Sequence, residues 1–391
     1  MIDWRMLWTG RRARLWLAAS AIAVWLPLLG MPARGWLDFS AFYAAGALAF
    51  GPSVMDLGAI AGYQAARGLP NTAFLYPPGL AILYAPLSWL PYDLAAVLHV
   101  GFQALALLGA IWVGARVYGI PLRWAFLGVT AWAPAAAGVV SGQNSAVLLL
   151  LTMLAAWALA RGSGRLAGLA IGLTAYRPHL GGPLIGIAIW RQARQAVIVS
   201  AAILAAHYGL GVAATGGMLD WPTRWLATVG AAMANDFQSV GWQALGLPAM
   251  LGRLSLGGSA PGAVVGPALI GYGVGLALVI SALGPVRTWD APRAVALTCV
   301  LALFAGPRGF AYDATLLLPA IAVLVRDARQ RDWPWRDRWL LAAAYGLALM
   351  WPIGGFVGVT PLALVVLAGP FVLLGRGPFR SFAPIPPDRR S

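Results

Sequence analysis

Apolar residues in this chain come in long unbroken runs separated by short polar punctuation. The runs cover ~15–31, ~94–115, ~122–140, ~144–160, ~196–215, ~262–284, ~294–306, ~312–325, ~339–353 and ~361–375. The longer ones reach the ~20 residues that a helix needs to cross a bilayer. Three further apolar pieces, ~77–90, ~166–176 and ~180–190, are too short to cross alone, and each is broken or bounded by proline. Short helices at membrane depth persist only where protein or a water-filled cavity satisfies their freed backbone groups. The pattern therefore predicts an all-α, polytopic membrane bundle of about 10–13 transmembrane or half-membrane helices, built around an outer-leaflet cavity.

Composition agrees with that class. Hydrophobic residues make up 60% of the 391 and charged residues only 10%, against about a quarter charged in a soluble domain. The first run follows a basic flank as a signal peptide would, but no small-x-small cleavage site ends it, so it is read as a retained helix. All 27 basic residues are Arg and all 12 acids are Asp, so any carboxylate chemistry falls to aspartate. A single cysteine, Cys299, excludes a disulfide framework. The net charge of +15 suggests nucleic acid in a soluble protein; here it reads as topology, and no nucleic-acid partner is expected.

Arginine clusters at 5–14, 116/123, 161/165, 191/194, 287/293, 326–338 and from 376 onward mark the cytoplasmic side. This puts 21 arginines inside and six outside (Arg34, Arg67, Arg177, Arg224, Arg253 and Arg308). Both termini come out cytoplasmic in a multi-pass inner-membrane protein. One integral membrane domain over 1–375 is expected, roofed by outer loops 32–76 and 216–260. The Pro- and Arg-rich tail 376–391 reads as disordered.

The outer face then collects nearly every polar side chain that topology does not use. Asp38, just past the first span, suits a general base and equally suits a helix N-cap before FSAFYAAGALAF. Tyr76 in YPP starts a short helix at the interface, where aromatic belting is the plainer role. Gln143 and Asn144 in SGQNS bring amides to a helix N-terminus, for sugar hydroxyls or simply as a polar cap. Arg177 in YRPH lies between two half-helices and suits a phosphate; an arginine snorkelling to headgroups is the alternative. His179 is a hydrogen-bonding assistant or a structural histidine. PRGFAYD supplies Arg308, Tyr312 and Asp313; the Arg and Asp pair with each other or complete a phosphate site with Arg177. Trp221 in outer loop 216–260 can stack on a sugar or anchor an interfacial helix.

Several stretches in order carry a resemblance: DFSAFYAAG, FLYPPGLAILYAPLSWLP, SGQNSAVLLLLTMLAAWAL, AGLAIGLTAYRPHLGGPLI and YDATLLLPAIAVL. Together, from about 34 to about 325, they resemble glycosyltransferase family 87. The resemblance implies a GT-C fold and an inverting transfer of a sugar, mannose by default, from a polyprenyl-phosphate donor outside the cytoplasm. The family's proposed catalytic aspartate matches Asp38. The family often has Lys at the position of Arg177, and can carry a His where GPRGFAYD has Arg308.

The resulting expectation is a hexosyltransferase with Asp38 as general base and Arg177, Arg308 and His179 on the donor phosphate. Tyr43, Tyr76, Gln143, Asn144, Tyr312, Asp313 and Trp221 contact sugar or acceptor. No cofactor and no metal is expected. The partners are the lipid-linked donor, a lipid or glycan acceptor, and the bilayer. The rival is a secondary transporter or lipid flippase, which broken helices beside a cavity also suit. A non-catalytic scaffold of envelope synthesis would need neither Asp38 nor Arg177.

Overall fold

A computed structural model describes residues 11–29, 38–239, 245–246, 290–306 and 309–349. The expected spans ~262–284 and ~361–375, the tail, Arg308 and most of 240–260 lie outside the described residues. Those described are helical, with no strand among them.

Most of the described helices follow the apolar runs, whereas Phe39–Ala47, Leu57–Ala65 and Trp221–Ser239 lie within the segments 32–76 and 216–260 read as outer loops. In chain order the helices are α1 Arg11–Leu29, α2 Phe39–Ala47, α3 Leu57–Ala65, α4 Gly79–Ser88, α5 Tyr92–Tyr118, α6 Leu122–Thr130, α7 Ala133–Val140 and α8 Ser145–Ala160. After them come α9 Gly164–Leu173, α10 Pro178–Trp190, α11 Arg194–Ala214, α12 Trp221–Ser239, α13 Ala291–Ala305, α14 Leu318–Gln330 and α15 Trp335–Leu349. Short 3₁₀ turns occupy Pro52–Met55, Thr174–Tyr176 and Ala311–Leu317.

Among the described residues, α5 and α11 are long and apolar enough by themselves to cross a bilayer; α4, α8, α13 and the stretch Ala13–Leu26 of α1 are shorter apolar helices. The run ~122–140 is two helices rather than one. Pro134 sits in the first turn of α7, where its missing N–H costs nothing but where it ends the preceding helix. At that break Trp132 is fully buried and donates from Nε1 to Ala314 O at 3.0 Å, tying the joint to the 311–317 turn.

The most extensive packing is α5 on α8 and α9 on α11. In α9, glycines recur every four residues, and Cβ atoms built at Gly168 and Gly172 would fall 2.7 Å from Val199 Cβ and 2.6 Å from Ile203 Cβ. Small residues at this spacing let two helix backbones approach closely, the usual basis of helix pairing where no hydrophobic driving force separates lipid from protein.

Within the expected outer loop 32–76, residues 38–76 carry α2, α3 and a 3₁₀ turn. Ser40 on α2 meets Pro70 O at 2.7 Å and Thr72 Oγ1 at 2.7 Å. The fully buried Gln64 on α3 donates to Ser40 Oγ and Thr72 O at 3.2 and 2.9 Å. Asp56 caps α3, accepting from Gly58 N and Ala59 N at 2.8 and 3.3 Å.

The far end of the bundle is tied by charge. Asp290 caps α13 by accepting from Arg293 N at 2.7 Å. Buried Arg293 pairs with Asp327, and buried Arg326 reaches Asp290 at 2.9 Å and Asp327 at 3.2 Å. Tyr118, at the end of α5, donates to Pro292 O at 3.3 Å.

Candidate active site

Four residues, Ser141 to Asn144, form the turn between α7 and α8, and two candidate groups meet different residues of it. Gly142 in this turn has φ +75, a left-handed conformation that favours glycine. A Cβ there would lie 2.7 Å from Phe39 Cβ, so the turn and the start of α2 can touch only through a glycine.

On the α2 side, Asp38 donates its backbone N–H to Ser141 O at 3.0 Å. Asp38 occupies the N-cap position of α2, yet its side chain makes no capping hydrogen bond. The carboxylate is half-buried. Asp56, by contrast, has its carboxylate turned onto its own helix. His99, within α5, joins the same group: its Nε2 lies 2.8 Å from Gly142 O, and its ring stacks on Phe39 at 4.9 Å. A carbonyl only accepts, so Nε2 carries the proton. Nothing in the sequence analysis singled out His99, although an ionisable residue inside a 27-residue apolar helix is itself a signal of a role.

On the other side, Gln143 and Asn144 face Arg177. This guanidinium is 3% exposed, so it does not snorkel. Its Nε donates to Asn144 Oδ1 at 3.0 Å. Its Nη2 donates to Tyr76 Oη at 2.7 Å and Gln143 Oε1 at 2.8 Å, and its Nη1 pairs with Asp313. Tyr76 in turn donates to Gln143 Oε1 at 2.6 Å, and Gln143 Nε2 donates to Tyr312 Oη at 3.3 Å. The second Asp313 oxygen accepts from Phe310 N at 2.9 Å. A buried charge persists when it is paired and its remaining donors are satisfied, and both hold here.

Of the residues expected to gather, Tyr76, Gln143, Asn144, Arg177, Tyr312 and Asp313 form one hydrogen-bonded cluster, with Asp38 across the turn. Asp313 pairs with Arg177 rather than with Arg308, which lies outside the described residues. His179 is half-buried in the first turn of α10. Tyr43 donates to Leu90 O at 2.7 Å; burial, with Tyr63 nearby, pushes its phenol above the usual range, which keeps it a donor. Trp221 stands apart from the cluster: it is buried on α11, donating to Tyr208 O at 3.1 Å. Trp225, one turn on, donates to Leu75 O at 3.3 Å and so fixes α12 beside Tyr76. Among the described residues no three His, Cys or Asp side chains converge as a metal ion requires.

The sequence profile of glycosyltransferase family 87 matches residues 74–311, which takes in the YPP, SGQN and YRPH segments and most of the chain. The chain belongs to glycosyltransferase family 87. Membership of that family favours the membrane-glycosyltransferase expectation over the transporter and scaffold readings. An α-(1→3)-arabinofuranosyltransferase of Mycobacterium tuberculosis is 30% identical over 138 residues, 32% of each chain, in strains CDC 1551 / Oshkosh and ATCC 25618 / H37Rv alike. The family 87 chain thus aligns with about a third of the length of these relatives. No solved structure matches it.

Proposed function

We propose that this enzyme transfers a sugar from a polyprenyl-phosphate donor to a hydroxyl of a lipid or glycan acceptor, with Asp38 as the general base. Asp38 takes the proton as the acceptor oxygen attacks the anomeric carbon. The bond from that carbon to the phosphate oxygen breaks, the configuration inverts, and polyprenyl phosphate leaves. The observation that carries this reading is the SGQN turn: Asp38, half-buried and not capping its helix, is tied to Ser141, and the buried, polar-lined Arg177 is tied to Gln143 and Asn144.

The donor phosphate falls to Arg177 with Arg308 and His179. Arg177 is already paired with Asp313, so a phosphate on Arg177 takes the place of its neutral partners Tyr76, Gln143 and Asn144 while the pair with Asp313 is kept. The amides of Gln143 and Asn144 and the hydroxyls of Tyr76 and Tyr312 line the sugar. The arginine bias between loops supports a multi-pass protein with both termini cytoplasmic and this site facing outward, in a single membrane domain over 1–375. No metal is assigned a role.

Mannose remains the default sugar. The arabinofuranosyltransferase relative favours a pentofuranose as the second reading. Purified protein in lipid, given radiolabelled polyprenyl-phosphate mannose or polyprenyl-phosphate arabinofuranose with a membrane extract as acceptor, separates the two. Equal turnover by wild type and Asp38→Asn removes Asp38 as the base; turnover with neither donor removes both sugars.

A further inference from the structure

A second concavity lies away from the SGQN turn, enclosed by α1, α5, α6, α8, α14 and α15. Its volume is about 800 Å³, toward the upper end of the ~300–1,000 Å³ typical of ligand sites. Its walls are hydrocarbon: Ile111 of α5, Leu149 and Met153 of α8, Ile321 of α14. Tyr345, the polar exception on α15, already spends its hydroxyl on Gly128 O at 2.8 Å. One flank is α1, which exposes Trp16 and Ile22 and opens the cavity toward the surroundings of the protein.

Charge appears at one end only. Arg123 lies in the first turn of α6 and Arg329 in the last turn of α14, and both line the cavity and are exposed. Arg329 Nη1 donates to Gly119 O at 2.9 Å, which places that arginine against the α5–α6 turn, four residues before Arg123. Neither has a carboxylate partner among the described residues, although other arginines on α14 and the turn after it do. Trp124 and Trp333 flank the same end, as indoles do at a membrane–water boundary. A soluble metabolite would find almost nothing to hydrogen-bond here. A long hydrocarbon chain ending in a negative headgroup matches both the walls and the mouth.

We propose that this cavity binds one chain of an anionic phospholipid of the surrounding bilayer, with its phosphate against Arg123 and Arg329. The site is separate from the sugar-transfer site and stands whether or not the proposed reaction is right. Its lipid comes from the leaflet on the arginine-rich side.

Native mass spectrometry of the full chain in detergent tests it, titrating phosphatidylglycerol or phosphatidylcholine with identical chains. Wild type is expected to hold one phosphatidylglycerol in preference to phosphatidylcholine. Arg123→Gln with Arg329→Gln should weaken phosphatidylglycerol about thirtyfold, about fivefold per arginine on the scale of basic residues at an anionic leaflet, and leave phosphatidylcholine unchanged. Gly346 lines the cavity, and a Cβ there meets no heavy atom within 4 Å. Gly346→Leu should therefore weaken both lipids about tenfold, the worth of roughly two displaced methylenes. Ala322→Leu fills the cavity from α14 and guards against a folding defect in the first variant. Equal affinity for the two lipids in wild type, or unchanged binding in both filled variants, overturns the proposal in favour of ordinary boundary lipid. No retained lipid at all overturns it in favour of a cavity covered by the chain itself.

Discussion

Among the described residues, two clusters of buried arginine and aspartate are built differently. Around Arg293, Arg326, Asp290 and Asp327, charge meets charge: two arginines and two aspartates neutralise each other at the ends of α13 and α14. Around Arg177 a single ion pair with Asp313 is surrounded by Tyr76, Gln143, Asn144 and Tyr312. The first arrangement fastens helices. The second spends four neutral polar side chains on orienting one cation, and it shares the SGQN turn with the Asp38 carboxylate. Neutral partners can be exchanged for sugar hydroxyls without leaving a buried charge unpaired, which an all-ionic cluster does not allow.

The sharpest way to break this contrast is at Asp38. Asp38→Asn is expected to lower transfer by about 10²–10⁴-fold. Because Asn keeps the size of Asp and a hydrogen-bonding oxygen, the thermal midpoint in detergent should move little; a fall in midpoint equal to that of a core variant would make Asp38 structural. Next comes Arg177→Gln, which strands Asp313 and should cost about 3–5 kcal/mol of stability. Adding Asp313→Asn should restore much of that stability and none of the transfer. The matching pair Arg293→Gln with Asp327→Asn should recover both, if the far cluster is a fastener only. Loss of transfer in a well-folded Arg293→Gln/Asp327→Asn protein would erase the distinction between the clusters.

Gly142→Ala tests the shared turn. Its positive φ and the crowding against Phe39 predict about 1–3 kcal/mol of destabilisation, read as a lower midpoint. Transfer should fall as well, because Asp38 moves with α2. The smallest effect is expected at Asp56→Ala: about 1 kcal/mol from a lost helix cap and unaltered transfer per folded molecule. A rate loss there like that at Asp38 would show that the two outer-loop aspartates had been assigned the wrong way round.

Much of this was legible in the chain itself. Apolar runs ended by Pro, Gly or Arg marked many of the described helices to within a few residues, though not α2, α3 or α12, and the three short pieces at ~77–90, ~166–176 and ~180–190 became α4, α9 with its 3₁₀ turn, and α10. One run misled: ~122–140 reads as continuous because Ala131 and Trp132 are as apolar as their neighbours, and only Pro134 hints at the joint. Partnerships were less visible. Arg177 and Asp313 lie 136 residues apart, and periodicity says nothing about which distant carboxylate meets which arginine. Asp38 presented a cap and a base with equal face value, because the sequence shows the position of a side chain and not the direction it takes. His99 was hidden for the opposite reason: it sits in the interior of α5, where the surrounding apolar residues drew it into the helix pattern.

Arginine at position 177, where the resemblance often expects lysine, has an effect on protons. A lysine enclosed this deeply readily gives up its proton when water leaves, whereas a guanidinium does not. The interior of this enzyme therefore keeps the same cation whether its cleft is flooded or sealed by substrate. Binding and release of a ligand there need exchange no proton with the bulk at residue 177, and alkalinity has no purchase on that charge.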